Sequence, residues 1–160
     1  MTISVRPATP ADAATVHGLV LALARYEKLE HAVTATEADT AAALFGPNPR
    51  VFCDLAEVEG RVVGFALWYY SFSTFLGRHG IYLEDLFVEP AFRGRGIGKA
   101  LLRHLAQRCL REKLGRLEWW VLDWNEPSIQ FYRAQGARMM DEWTVCRVDG
   151  EALQRLGGAE

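Results

Sequence analysis

A glycine-rich segment at residues 93–99, Arg-Gly-Arg-Gly-Ile-Gly-Lys, constrains the fold most strongly, because it joins a predicted strand directly to a predicted helix. Its three glycines within five positions leave the backbone unshielded, so that successive N–H groups can point into one space at the positive end of a helix dipole. Residues 93–116 also hold eight Lys or Arg residues and one acid, in a chain whose formal net charge is −2. The segment is therefore predicted to bind an anion, and the natural anion is a phosphate.

Two common phosphate-binding loops do not match this segment. A Walker loop needs four residues between its first Gly and the Gly-Lys pair, followed by a hydroxyl for magnesium. Here three residues separate Gly94 from Gly98, and Ala100 follows Lys99. The dinucleotide fingerprint needs the spacing GxGxxG, whereas this loop has GxGxG and follows a predicted hairpin. Nucleotide hydrolysis and dinucleotide binding are both disfavoured.

Hydrophobic periodicity and turn residues place the loop within a longer series of strands and helices. The predicted strands cover residues 3–5, 51–58, 61–72, 81–88, 117–122 and 138–148, and the predicted helices cover residues 9–26, 34–44, 99–114 and 125–136. Glu59 and Gly60 are typical of a tight hairpin turn. The order β-α-α-β-β-β-α-β-α-β predicts an α/β (α+β mixed) fold, with one mixed sheet flanked by helices in a single domain over residues 1–160.

Composition narrows the class of protein. Half of the residues are hydrophobic, which is enough for one core at this length, and the near-neutral charge argues against nucleic-acid binding. The three cysteines are far apart, so they form neither a zinc pattern nor a disulfide framework, and no metal site is predicted. We find no signal peptide and no apolar stretch long enough for a membrane span. These features predict a cytoplasmic protein without membrane or nucleic-acid partners.

Two motifs at a fixed distance resemble the GNAT superfamily of N-acetyltransferases. They are Arg-x-x-Gly-x-Gly at residues 93–98 and Asn-x-x-Ser-x-x-Phe-Tyr at residues 125–132. Residues 26–30, 82–85 and 123–128 are also similar to the spermidine/spermine (diamine) N-acetyltransferases and to the thialysine N-acetyltransferases. The resemblance implies a GNAT-type sheet, acetyl-CoA as the cofactor, a small-molecule amine as the substrate and a homodimer.

The resemblance also implies roles for individual residues. The cofactor would be held by Leu86, Phe87, Val88, Arg93, Gly94, Arg95, Gly96, Ile97, Gly98, Lys99, Asn125, Glu126, Pro127 and Ser128. The substrate would be bound by Tyr26, Glu27, Glu84, Asp85, Glu118, Trp119 and Trp120. For the two tryptophans a place in the core competes with this role, because neighbouring strand residues face opposite ways.

Tyr132 and Glu84 are the predicted catalytic residues. An alkyl ammonium has a pKa near 10, so the amine must lose a proton before it attacks, and the leaving thiolate must gain one. Tyr132 matches the family's general acid, with packing beside Phe131 as the alternative. Glu84 is expected to bind the amine and remove its proton, directly or through water, with the help of Asp85. Strand alternation would send these two acids to opposite faces unless a bulge intervenes.

Two other functions compete with small-amine acetylation. One is a protein-lysine or N-terminal acetyltransferase, which needs an open groove for its peptide. The other is a non-catalytic acyl-CoA-binding module. The acids at positions 27, 30, 84 and 85 favour a narrow acidic slot for a small cation, and retention of Tyr132 and Glu84 favours catalysis. The identity of the amine, polyamine or thialysine-like amino acid, stays open.

Overall fold

The computed structural model describes residues 1–158, which divide into two compact units. The first unit comprises Met1–Trp124 and the second begins at Asn125. The first unit contains a five-stranded sheet in the order β1-β2-β3-β4-β5. Its strands are β1 (Ile3–Pro7), β2 (Phe52–Val58), β3 (Arg61–Ser73), β4 (Arg78–Val88) and β5 (Leu117–Glu118). Neighbouring strands are antiparallel except β4 and β5, which are parallel, so the predicted mixed sheet is confirmed.

Helices cover both faces of this sheet. They are α1 (Ala13–Tyr26), α2 (Glu37–Phe45) and α3 (Ile97–Arg111). On one face Leu55, Phe65 and Phe87 form a core with Val16 and Leu19 of α1. The other face carries α3, whose Leu101 and Leu105 are fully buried, as are Ala66 and nearly all of Trp68 and Leu83 on the strands. Each such aliphatic or aromatic side chain contributes about 1.5–3 kcal/mol by leaving water, so the two apolar faces fix where the helices pack.

Local sequence explains two of the boundaries. Glu59 and Gly60, between β2 and β3, have φ values of 52° and 80°, as the predicted two-residue hairpin turn requires. The N-cap of α2 lies two residues after the predicted start of this helix at residue 34. Thr36 is the residue that caps it, since its hydroxyl accepts a hydrogen bond from the Asp39 N–H at 3.2 Å.

A β-bulge interrupts β4 beside the predicted acids. Leu67 of β3 pairs with Asp85, but the next residue, Trp68, pairs with Leu83, so Glu84 is the extra residue. An extra residue reverses the alternation of side chains along one strand. Asp85 therefore shares the α1 face of the sheet with Leu67, while Leu83 faces α3.

The strands β4 and β5 separate soon after they meet. Their pairing covers only Ile81 with Leu117 and Tyr82 with Glu118, so the prediction of a strand over residues 117–122 is wrong beyond position 118. The remaining half of β4, up to Val88, has no paired strand on this side among the residues described. On that edge the Val88 carbonyl accepts a hydrogen bond from Arg93 Nε, and the other backbone groups have no strand partner among the residues described.

The second unit contains two short helices, α4 (Glu126–Ala134) and α5 (Gly150–Leu156). The Asn125 side chain caps α4 and Gly136, with a φ of 92°, follows its end, as predicted. The predicted strand over residues 138–148 is wrong, because the structure has no strand there. An alternating pattern becomes a strand only beside a hydrogen-bonded neighbour, and this unit, as far as residue 158, offers none.

Candidate active site

The glycine-rich loop forms an open backbone cradle at the start of α3. Gly94 and Gly96 have φ values of 74° and 84°, which side chains rarely adopt, and Gly96 is the N-cap residue of α3. A Cβ atom placed on either glycine would meet no other atom within 4 Å, so the space beside the backbone is free for a ligand. Ile97 is buried and anchors the helix below the loop. The N–H groups of the first helical turn have no partner within the helix, and these are the groups that bind phosphate.

The charges around the loop suit a diphosphate. Arg95 and Lys99 are both exposed beside the cradle. Gly98 lies between them in the first turn of α3, and the open edge of β4 at Leu86–Val88 ends just before the loop begins. Phe87 points into the core, so its side chain is not available at this edge. The residues present therefore fit the diphosphate and the amide-bearing arm of coenzyme A.

Arg93 takes a different position from the rest of the loop. Its Nε donates a hydrogen bond to the Val88 carbonyl at 2.9 Å. Its guanidinium carbon lies 4.7 Å from the centre of the Tyr26 ring and 5.2 Å from that of Phe87. Arg93 therefore contacts β4 and the end of α1.

Three carboxylates gather where α1 ends against β4. Burial, and then the negative charges of Glu84 and Glu27, raise the pKa of Asp85 to about 7. Burial also raises the pKa of Glu27, which directly follows α1. Glu84, the extra residue of the bulge, is exposed. The structure thus brings three of the four predicted acids together and gives them different surroundings, whereas Glu30 pairs with Arg25 at 3.3 Å.

Aromatic side chains stand beside this acidic cluster of Glu27, Glu84 and Asp85. Tyr69 and Tyr82 lie 5.0 Å apart, and Trp120 meets Tyr82 edge-on at 5.6 Å. Burial raises the pKa of both tyrosines, and the Glu84 carboxylate adds to this effect in each. The charge of Glu118 also raises the pKa of Tyr82. Rings beside carboxylates form surroundings that attract an organic cation.

Tyr69 and Tyr82 were not predicted as site residues from the sequence. Alternation along β4 would group Tyr82 with Glu84, two residues away, and not with Asp85. Because of the bulge, the cross-strand pairs Leu67–Asp85 and Tyr69–Tyr82 place all four side chains on one face. The adjacent acids were a signal that a bulge was possible, but only the register shows where it lies.

The remaining predicted residues divide between the units. Trp119 is half-buried in the first unit, and Trp120 is 62% exposed, so the prediction that Trp120 belongs to the core is wrong. In the second unit, the Asn125 side-chain oxygen accepts a hydrogen bond from the Ser128 N–H at 3.4 Å. Glu126 and Pro127 are exposed in the first turn of α4. Tyr132 is buried and its ring lies 5.4 Å from that of Phe131.

Residues 1–158 contain neither a group of metal-binding side chains nor a membrane-spanning helix. No three His, Cys, Asp or Glu side chains in this range are grouped so that they could bind a metal ion. None of the helices in the same range is both long enough and apolar enough to cross a bilayer.

Known proteins match nearly the whole chain. The sequence model of the acetyltransferase (GNAT) family matches residues 18–137. A thialysine N-epsilon-acetyltransferase from Bos taurus is 36% identical, with 98% of each chain covered. The spermidine/spermine N(1)-acetyltransferase-like protein 1 of Homo sapiens is 31% identical over 98% of this chain and 24% of its own length. Among solved structures, an integron cassette protein from V. cholerae has a TM-score of 0.83 and 28% identity, with 99% of each chain covered.

Proposed function

The chain belongs to the acetyltransferase (GNAT) family, and we propose that it transfers an acetyl group from acetyl-CoA to the primary amine of a small cationic molecule, by direct attack in a ternary complex. Membership confirms the resemblance drawn from the two motifs and the predicted class of enzyme. One observation carries the proposal of a small cationic acceptor. It is the acidic cluster, in which Asp85 is half-buried beside Glu84 and Glu27 and its pKa is raised to about 7.

The acidic cluster favours a small cation over a peptide. Each carboxylate alone costs free energy when it loses water, and a cation placed among three of them offsets that cost. The faces of Tyr69 and Tyr82 add cation–π attraction of about 0.5–2 kcal/mol. A thialysine acetyltransferase is similar to this chain over its full length, which supports an amino acid with an aminoalkyl side chain, or a diamine, as the acceptor.

The donor side is assigned to the loop and to the open edge of β4. We expect the N–H groups from Gly94 to Lys99 to hold the diphosphate, with Arg95 and Lys99 adding charge. The backbone of Leu86, Phe87 and Val88 would hold the pantetheine arm, and the segment 125–128 would make the second set of cofactor contacts. When bound, acetyl-CoA supplies the acetyl group as a thioester.

Of the two adjacent acids Glu84 and Asp85, Asp85 has the surroundings better suited to accepting the proton of the ammonium. An ordinary carboxylate has a pKa near 4, whereas a group with a pKa of about 7 is a stronger base and is still partly ionised at neutral pH. We therefore assign proton removal to an Asp85 oxygen, directly or through water. Glu84 keeps its predicted place in the site, where its exposed carboxylate binds the incoming ammonium and its charge raises the basicity of Asp85.

Tyr132 is assigned the opposite transfer. Its phenol Oη would give a proton to the departing sulfur as the amide forms. Tyr132→Phe removes this proton and keeps the ring, so we expect turnover to fall by about 10²–10⁴ with little change in cofactor affinity. A fixed-time thiol-release assay measures turnover, and calorimetry with coenzyme A measures cofactor affinity. Full turnover in the variant would remove Tyr132 from the mechanism.

A thiol-release assay with a panel of amines tests the function itself. We expect turnover with thialysine or with a diamine such as spermidine, and none with lysine-containing peptides. Turnover on peptides alone would establish a protein acetyltransferase, and cofactor binding without any turnover would establish a non-catalytic module. Gly96→Val is the matched negative control, because a branched side chain at a φ of 84° both strains the loop and fills the cradle.

The proposal extends to a homodimer in the cytoplasm. Large apolar side chains at the β3–β4 hairpin support a self-association surface, since Phe72 is 56% exposed and Phe75 is fully exposed. Light scattering of the purified protein would give a mass twice that of one chain. A monomer at micromolar concentration would remove the dimer and leave the proposed chemistry in place.

A further inference from the structure

Arg93 connects the end of β4 to the end of α1. Its hydrogen bond to the Val88 carbonyl, at 2.9 Å, has the usual length for an N–H donor. Its guanidinium carbon is 4.7 Å from the Tyr26 ring centre, well within the range of a cation–π contact. A second ring, that of Phe87, lies at 5.2 Å. The side chain is thus held by both the strand that leads into the loop and the last residue of α1.

The contacts continue beyond Tyr26. The Tyr26 ring is 6.2 Å from the Trp124 ring, and the Lys28 ammonium lies 5.0 Å from the centre of Trp124. We call these four side chains, Arg93, Tyr26, Trp124 and Lys28, the aromatic–cation row. All four belong to the first unit.

The backbone at the end of α1 explains why such a row is useful. Lys28 has a φ of 61°, in the left-handed region where a glycine usually ends a helix, and the Leu29 N–H bonds to the Ala24 carbonyl at 2.8 Å. A residue with a side chain is less stable than glycine in this conformation. The Lys28 contact with Trp124 provides a compensating interaction. Side chains as well as backbone therefore fix the turn that carries Glu27.

Glu27 is the part of this turn that the chemistry needs. It follows Tyr26 directly, and its charge is one of the causes that raise the pKa of Asp85. A shift of the α1 end would move Glu27 away from Asp85 and change the acidic cluster.

We propose that Arg93 is a positioning residue for the acceptor amine, which holds Tyr26 and thereby keeps Glu27 opposite Asp85, and that it is not a ligand of the cofactor diphosphate. The inference rests on the proposed function, because it assigns the acidic cluster to the amine. It changes the role that the motif implies for Arg93 while leaving the backbone of the loop as the phosphate site.

Arg93→Lys tests this role, with Arg50→Lys, at an exposed arginine outside the site, as the matched control. Lysine keeps the positive charge but loses the planar group and the Nε donor, so a phosphate contact would largely survive while the hydrogen bond to Val88 that holds the side chain over Tyr26 would not. We expect the amine KM to rise about fivefold in Arg93→Lys, the scale of one lost hydrogen bond, with the coenzyme A Kd changed less than about twofold. In Arg50→Lys, we expect both constants to stay at the wild-type values.

A second variant separates positioning from direct binding. Tyr26→Ala should raise the amine KM, and adding Arg93→Lys to it should cause no further rise, since the two residues act through one contact. A rise in the amine KM of the double variant equal to the product of the two single effects would overturn the proposal. So would an unchanged amine KM in Arg93→Lys, or a loss confined to the coenzyme A Kd.

Failure of the proposed function would give a different result. Wild-type protein that turns over no amine would refute the function, and the row could still be tested by urea unfolding of the same variants. Less-than-additive shifts of the unfolding midpoint would support the Arg93–Tyr26 contact, and additive shifts would overturn it.

Discussion

Two aspartates on opposite faces of the same sheet, Asp54 and Asp85, meet very different neighbours. Asp54 of β2 is 2% exposed and faces α3. The Trp68 indole Nε1 donates to its Oδ2 at 2.8 Å, and His104 Nε2 lies 3.4 Å from its Oδ1. The Arg108 guanidinium stacks on the same indole at 5.0 Å. Asp85, on the α1 face, meets the carboxylates of Glu84 and Glu27 instead.

The difference shows that the neighbours of a shielded acid determine its role. Trp68 of β3 donates a hydrogen bond to Asp54 and His104 of α3 lies beside it, so Asp54 joins β2, β3 and α3. Carboxylates surround Asp85, so its ionised form is disfavoured until a cation arrives. A group held in this way can exchange a proton near neutral pH, as catalysis requires. The first aspartate is structural and the second belongs to the proposed chemistry.

The difference in role between Asp54 and Asp85 is tested most strongly by neutralising each aspartate in turn and measuring turnover. Asp85→Asn removes the proton acceptor, so we expect kcat to fall by about 10²–10⁴. Asp54→Asn should leave kcat per folded molecule within about twofold, as expected for a residue that does not touch the amine. An active Asp85→Asn enzyme would move the proton transfer to another group, of which Glu84 is the first to examine.

For the free energy of unfolding we expect the opposite ranking, with the larger loss in Asp54→Asn than in Asp85→Asn. Asp54→Asn loses a charge-assisted hydrogen bond from Trp68 and the attraction of His104, so we expect the free energy of unfolding to fall by about 2 kcal/mol. Asp85→Asn relieves the repulsion among three acids and should be as stable as the wild type, or more so, at pH 8. Urea unfolding of both variants measures this. Equal losses in the two variants would mean that Asp85 is also a structural residue.

The free energy of unfolding should also depend on pH. The pKa of Asp85 is about 7 in the folded chain and near 4 when unfolded, so the folded state binds more protons between these values. Its contribution therefore falls as the pH rises from about 4 to about 7 and is constant above that. Unfolding free energies at several pH values should decline less steeply for Asp85→Asn than for the wild type. Parallel curves would contradict the raised pKa.

The fold was largely predictable, and its exceptions have one cause. Strong periodicity located α1, α3 and the three strands from Phe52 to Val88 to within a few residues. The two predicted strands after position 116 failed in whole or in part, because a strand depends on a neighbour that local sequence does not specify. The candidate site was likewise predictable only where it depends on residues that are adjacent in the sequence. The loop from Gly94 to Lys99 was predictable, whereas the partners of Arg93 were not.

Local sequence was sufficient to predict the backbone cradle at the start of α3, because such a cradle is made by consecutive residues and glycine spacing reports it directly. The position of the acidic cluster was decided only in the tertiary structure. One unpaired residue at Glu84 turns Asp85 toward α1, and Glu27 reaches it from more than fifty positions away along the chain. The pKa of a carboxylate depends on the charges and water around it in space, and these are set by packing and register rather than by its sequence neighbours.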